Sequence, residues 1–96
     1  MNKKSYIFLN PIKYREEDFG YLASNGNNCM AVNSPATSFI DYLNSCKKGQ
    51  IDTLITNYLC RFKFDSNEDK DDAYQALLNF LDSLLENKLI GVIDYE

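Results

Sequence analysis

The stretch CMAVNSP, residues 29–35, marks the point at which the chain changes from strand to helix. Before it, apolar and polar residues alternate with a period of two, as in Ile12–Arg15, and this pattern is typical of half-buried β-strands. After it, apolar residues recur every three to four positions, which is typical of amphipathic helices. Ser34 predicts an N-cap, and Pro35 fits the first helical position. The sequence therefore predicts an α+β fold.

The residues before this switch predict a three-stranded antiparallel sheet over residues 12–33. The predicted strands are Ile12–Arg15, Phe19–Ala23 and Cys29–Val32. Asn25 and Gly26 predict a tight hairpin turn between the last two strands, because both residues tolerate positive φ. Residues 1–11 are expected to form an arm, in which Tyr6–Leu9 is either a further short strand or an extended segment.

The residues after the switch predict three helices, a tail over residues 89–96, and no strand after residue 50. The predicted helices cover residues 34–47, 50–62 and 71–88. Lys47 and Lys48 suit the negative end of the first helix, and Gly49 is expected to end it.

The third predicted helix has an apolar stripe that is too wide for one contact surface. One seam contains Ala73, Leu77, Phe80 and Leu84. The other seam contains Tyr74, Leu78, Leu81 and Leu85. We expect one seam to lie in the core, and the other either to join it or to form a docking surface.

Composition limits the chemistry that this chain offers. Its 96 residues suit a single domain, 1–96. The chain contains no His, so the commonest general base and metal ligand is absent, and the Ser and Cys side chains lack the usual activating partner. No Gly-rich phosphate loop is present. We therefore predict no catalytic residues and no cofactor.

Two patterns that resemble metal sites are incomplete. Residues 65–71 place acidic or amide side chains at the first, third, fifth and seventh positions of a calcium loop. The sixth position, where the loop needs Gly, is Lys70, and the twelfth, where it needs Glu, is Ala76. The three cysteines include no Cys-x-x-Cys pair. No metal site is predicted.

The cysteine count also bears on location. Cys29, Cys46 and Cys60 make an odd number, and no segment has the features of a secretory signal or the length of a membrane span. We expect reduced thiols in a cytoplasmic protein that does not contact membranes.

A helix-turn-helix formed by the last two helices would suggest DNA binding. The net charge is −4, however, and the candidate recognition helix carries Asp71, Asp72, Asp82 and Glu86 against Lys88. A helix in the major groove is surrounded by phosphates, so this balance predicts no specific nucleic-acid binding.

The order and spacing of four segments resemble the PqqD-like family of RiPP recognition elements, where RiPPs are ribosomally made and then modified peptides. The segments are REEDFGYL (15–22), MAVNS (30–34), GQIDTLI (49–55) and LNFLDSLLENKLI (78–90). They resemble the first hairpin, the third strand with the start of the first helix, the start of the second helix, and the third helix with its apolar exit. The resemblance covers roughly residues 8–91.

This resemblance implies a winged-helix-like fold and a non-catalytic protein. Such a protein binds the leader of a precursor peptide by strand addition and presents it to a modifying enzyme, here a radical SAM enzyme. The third strand and third helix would form the site. The implied peptide-binding residues are Asn28, Cys29, Met30, Ala31, Val32, Asn33, Tyr74, Leu78, Leu81 and Leu85. A winged-helix transcription regulator is the alternative from another functional class.

Overall fold

Three helices and two three-stranded antiparallel sheets make up the part of the chain that the computed structural model describes, residues 5–9 and 11–93. The strands are β1 (Tyr6–Leu9), β2 (Lys13–Glu17), β3 (Gly20–Ser24), β4 (Cys29–Val32), β5 (Lys48–Gln50) and β6 (Ile90–Ile93). The helices are α1 (Ser34–Cys46), α2 (Ile51–Leu59) and α3 (Asn67–Glu86). The α+β prediction is confirmed.

The first sheet has the strand order β2-β3-β4 and corresponds to the sheet predicted over residues 12–33. Gly26 has a φ of +98°, as the predicted hairpin turn requires. Gly20, at the other turn, has a φ of +132°, and a Cβ there would lie 3.1 Å from the carbonyl oxygen of Val32. Both turns therefore depend on glycine.

The second sheet decides one alternative that the sequence left open, since Tyr6–Leu9 is a strand, and it corrects one prediction. Its order is β5-β1-β6, so residues of the expected arm form its central strand, and β6 lies in the expected tail. The prediction that no strand follows residue 50 is thus wrong. Ile7 pairs with Gly49 on one side and with Val92 on the other. Strands of three or four residues are too short to show a two-residue hydrophobic period, and pairing with distant segments leaves no local signal. The sequence pattern therefore could not predict this sheet.

The helix termini differ from the predictions by a few residues. Asn33, and not Ser34, is the N-cap of α1, because its side-chain Oδ1 accepts from the N–H of Ala36 at 3.0 Å. The third helix begins earlier than predicted, since Ser66 accepts from the N–H of Asp69 and so caps it. The second helix ends at Leu59.

The core lies between the helices and the inner faces of both sheets. Its fully buried large side chains include Ile7, Ile12, Phe39, Ile40, Leu43, Ile51, Ile55, Leu81, Leu84 and Leu89. The side chain of Asn44 fixes the backbone where the chain passes from one sheet to the other. Its Oδ1 accepts from the N–H of Ile12 at 2.9 Å, and its Nδ2 donates to the C=O of Ile12 at 2.7 Å.

Candidate functional site

The α3 residues that the resemblance assigns to peptide binding are more buried than an open groove requires. Leu78 is 8% exposed and Leu81 is 0% exposed, so the expectation that they face a bound peptide across an open groove is wrong. The physical reason is that both side chains belong to the hydrophobic core, where α3 packs against α2 and β6. Tyr74 and Leu85 are half-buried beside it, and the Tyr74 hydroxyl donates to the Asp52 carboxylate.

The neighbouring side of α3, which carries Ala73, Leu77 and Phe80, borders an apolar groove, which we name the α1/α3 groove. Four residues line both ends of this groove: Pro35, Phe39, Ala76 and Leu77. The end near β4 has a volume of about 230 Å³ and is completed by Asn33, Ala36 and Phe80. The far end has a volume of about 420 Å³ and is completed by Ser38, Tyr58, Leu59, Phe62, Phe64 and Ala73.

Aromatic rings form the floor and the far end of this groove. The buried ring of Phe39 lies 4.9 Å from the Tyr58 ring and 6.1 Å from the Phe80 ring, in edge-to-face arrangements. The Phe62 ring, 5.2 Å from Tyr58, is 50% exposed. A fixed floor with exposed apolar surface suits a ligand with bulky apolar side chains.

The outer edge of β4 presents backbone hydrogen-bonding groups. At the hairpin turn, the N–H of Asn25 donates to the C=O of Asn28 at 3.2 Å. Residue pairs in an antiparallel ladder alternate between pairs that exchange backbone hydrogen bonds and pairs that do not. The register therefore turns the N–H and C=O groups of Cys29 and Ala31 away from β3. Within residues 5–9 and 11–93, no strand pairs with that edge.

The implied β4 residues divide between the two faces of the first sheet. Cys29 and Ala31 are exposed on its outer face, while Met30 and Val32 point inward, half-buried and buried respectively. Asn28, half-buried, lies in the turn, where its N–H donates to the Oδ1 of Asn25 at 2.9 Å.

Asn33 is the residue at which strand and groove meet. It follows β4 directly, caps α1 and lines the near end of the α1/α3 groove. Asn33 thus brings the end of β4 to the groove that borders the other seam of α3. Leu84, the last residue of that seam, is buried in the core. Sequence reasoning missed Pro35, Phe39, Ala76, Leu77 and Phe80 as one surface. The signal available was the pair of small residues Ala73 and Ala76, which leaves a depression on that side of the helix.

Charged groups of both signs lie near the far end of the groove. Asp65 and Lys70 line the depression beside Phe62 and Phe64, and the guanidinium carbon of Arg61 lies 5.8 Å from the centre of the Tyr58 ring. Spacings of three and four residues place Asp69 and Asp72 on the same side of the helix as Ala73 and Ala76. Both carboxylates belong to exposed residues, and neither forms a salt bridge within the described residues. The α1 residues that line this end, Pro35, Ser38 and Phe39, are uncharged.

Two tyrosines within the helices have a pKa raised to about 12. Burial raises the pKa of Tyr42 to about 12, and its hydroxyl donates to the C=O of Leu54 at 2.8 Å. Burial, with the hydrogen bond to Asp52, raises the pKa of Tyr74 to about 12 as well. Both shifts move proton loss further from neutral pH, so these groups hold structure and are not poised as general bases.

Metal ligands are not clustered in the part of the chain that the structure describes: no group of three or more Cys, Asp or Glu side chains there could hold an ion. Cys29 and Cys60 are exposed free thiols, and Cys46 is half-buried. None of the helices in the described ranges is long and apolar enough to cross a membrane.

No protein-family model, curated protein or solved structure matches the chain. The function is therefore inferred from the residues themselves.

Proposed function

We propose that this protein is a non-catalytic, PqqD-like RiPP recognition element. It binds the leader of a ribosomally made precursor peptide and presents that peptide to a separate modifying enzyme in the cytoplasm. The resemblance in sequence implies a radical SAM enzyme as the partner that carries the chemistry.

The observation that carries the proposal is the junction of an open strand edge with an apolar groove. The outward N–H and C=O groups of Cys29 and Ala31 can pair with an extended peptide without rearrangement of the sheet. Such backbone pairing gives affinity but little selectivity, so a peptide-binding edge needs side-chain pockets beside it. The α1/α3 groove begins at Asn33, one residue after β4, and supplies them.

The α3 residues that we assign to the site therefore differ from those that the resemblance implied. The β4 edge is retained from the sequence interpretation, whereas the helix contribution moves to Ala76, Leu77 and Phe80. Ala76 is exposed, and the other two are half-buried, so a bound peptide can cover them without disturbing the core.

The order α1–β5–α2–α3–β6, with β1 completing a sheet between β5 and β6, supports a winged-helix-like arrangement. This arrangement is the observation that favours the alternative, a transcription regulator. Charge disfavours it, because the helix that would enter the major groove carries six carboxylates and Lys70 alone as a cation. The carboxylates belong to Glu68, Asp69, Asp71, Asp72, Asp82 and Glu86.

The test first searches the neighbouring genes for one that encodes a short precursor peptide, and the leader of that peptide is then titrated into the protein by calorimetry. The absence of such a gene would count against the proposal. Ala31→Pro removes an outward N–H that the fold does not use. Loss of one net hydrogen bond worth about 0.5–1.5 kcal/mol weakens binding by about 2- to 12-fold, and the proline ring obstructs the edge further.

Glu16→Pro is the matched control. The same alternation, continued across β3, turns the N–H of Glu16 toward the outer edge of β2, at the opposite side of the same sheet. Glu16 is exposed, as is Ala31. We expect wild-type affinity for this variant. No binding by the wild-type protein, or equal weakening by the two proline variants, would contradict strand addition at β4.

A further inference from the structure

We infer that the bound peptide carries a short apolar segment, preceded by basic residues, immediately before the segment that pairs with β4. The apolar segment occupies the α1/α3 groove, and the basic residues lie at its acidic far end. This inference rests on the proposed function and adds the chemistry of the peptide segment that precedes the paired strand.

The polarity follows from the sheet. The sheet β2-β3-β4 is antiparallel throughout, and antiparallel pairs are the commoner and slightly more stable kind, so a strand added at the β4 edge is expected to run antiparallel to β4. Since β4 runs from Cys29 to Val32 and ends at the groove, the added strand runs from Val32 toward Cys29. Residues that precede the paired segment in the peptide therefore lie beyond Val32, in the groove.

The length of the segment follows from the helix. Phe80 lines the near end of the groove and Ala73 the far end. Seven residues of helix at 1.5 Å each separate these positions by roughly 10 Å. An extended peptide advances about 3.3 Å per residue, so about three residues cover that distance. The wide far end beside Phe62 and Phe64 accommodates a bulky apolar side chain.

The charge preference follows from the rim. Asp69 and Asp72 lie one helical turn before Ala73 and Ala76, and no described residue neutralises either by a salt bridge. The α1 wall is uncharged at Pro35, Ser38 and Phe39. Among the described residues, the three carboxylates at this end, Asp65, Asp69 and Asp72, outnumber the two cations, Lys70 and Arg61. A peptide with Lys or Arg before its apolar segment therefore gains favourable charge interactions there, whereas an acidic peptide is repelled.

The probe is a displayed library of random linear peptides, selected on the immobilised wild-type protein. We expect enriched peptides with Lys or Arg, then bulky apolar residues, then a β-branched or aromatic segment. An enriched peptide is synthesised and its affinity measured by fluorescence anisotropy, with its reversed sequence as a control for polarity. Ala76→Glu, which places a charge in the exposed groove wall without loss of helix propensity, should weaken binding at least tenfold.

The charge arm compares two matched double variants. Asp69→Asn with Asp72→Asn should weaken binding by about threefold to tenfold, in line with two exposed charge pairs, and the difference should shrink at high salt. The control, Glu68→Gln with Asp71→Asn, makes the same change in net charge on the sides of α3 that face away from the groove. Each double variant removes one carboxylate from the first turn of the helix. This control should retain wild-type affinity.

The outcomes separate this inference from the function on which it rests. Enriched peptides that lose affinity with Ala31→Pro, but do not respond to Ala76→Glu or to the Asp69/Asp72 pair, would overturn the inference and leave strand addition standing. Equal affinity for the forward and reversed peptides would overturn the polarity. If no enriched peptide depends on Ala31, both proposals fail.

Discussion

Replacing Leu81 with Ala tests which seam of α3 supports the fold. The Leu81 side chain is 0% exposed, so the change removes about three buried carbon groups, each worth about 0.8 kcal/mol, and leaves a cavity. Buried Leu→Ala changes cost about 2.7–5 kcal/mol in the best-studied series. We expect a loss of about 3–4 kcal/mol in the free energy of unfolding. Urea denaturation followed by circular dichroism measures it.

The matched variant is Leu77→Ala, one turn away on the same helix and half-buried in the groove wall. Partial exposure already leaves some of this side chain in water, so we expect a loss of only about 1–2 kcal/mol. Its peptide affinity should fall instead, because Leu77 contributes to the surface that the peptide covers. If Leu81→Ala costs less than Leu77→Ala, the assignment of core and groove is reversed and the groove argument fails.

Three further predictions concern stability and selectivity. Asn44→Ala should lower the free energy of unfolding by about 1–3 kcal/mol in urea denaturation, because it leaves both the N–H and the C=O of Ile12 without their partner. A negligible loss would show that these two hydrogen bonds contribute little to stability. The pKa of Tyr42 is about 12 in the folded protein and about 10 in the unfolded chain. Its contribution to the free energy of unfolding is therefore complete below pH 10 and is lost as the pH rises through 12, at up to about 1.4 kcal/mol per pH unit. Tyr42→Phe should flatten that decline in denaturation curves, and an unchanged slope would refute the assignment. Duplex DNA should bind at most non-specifically; sequence-selective binding near physiological salt in a mobility-shift titration would favour the transcription regulator.

The first sheet and the three helices were predictable because their signals are local. Alternation across Ile12–Arg15, the Asn25-Gly26 turn and the change of period at Ser34-Pro35 each act within a few residues. The second sheet has no such signal. Its central strand pairs with segments about 40 and 85 residues away, and each segment is too short to show a period.

The site was predictable in part for a similar reason. The composition and position of β4 indicated an open edge, and the width of the α3 stripe indicated two contact surfaces. Helical spacing cannot say which surface faces the core, because Leu78 and Leu77 are equally apolar. That choice is made by the packing of α2 and β6 on one side of α3, and β6 itself was not predicted.

Amide hydrogen exchange, resolved by NMR with and without the precursor peptide, tests strand addition at β4 most directly. We predict that the amides of Cys29 and Ala31 become protected at saturating peptide, because they face the open edge. The amides of Tyr14 and Glu16, which face the opposite edge of the same sheet, should keep their exchange rates. Unchanged exchange at Cys29 and Ala31 in a saturated complex, or protection at Tyr14 and Glu16 instead, would contradict the proposal.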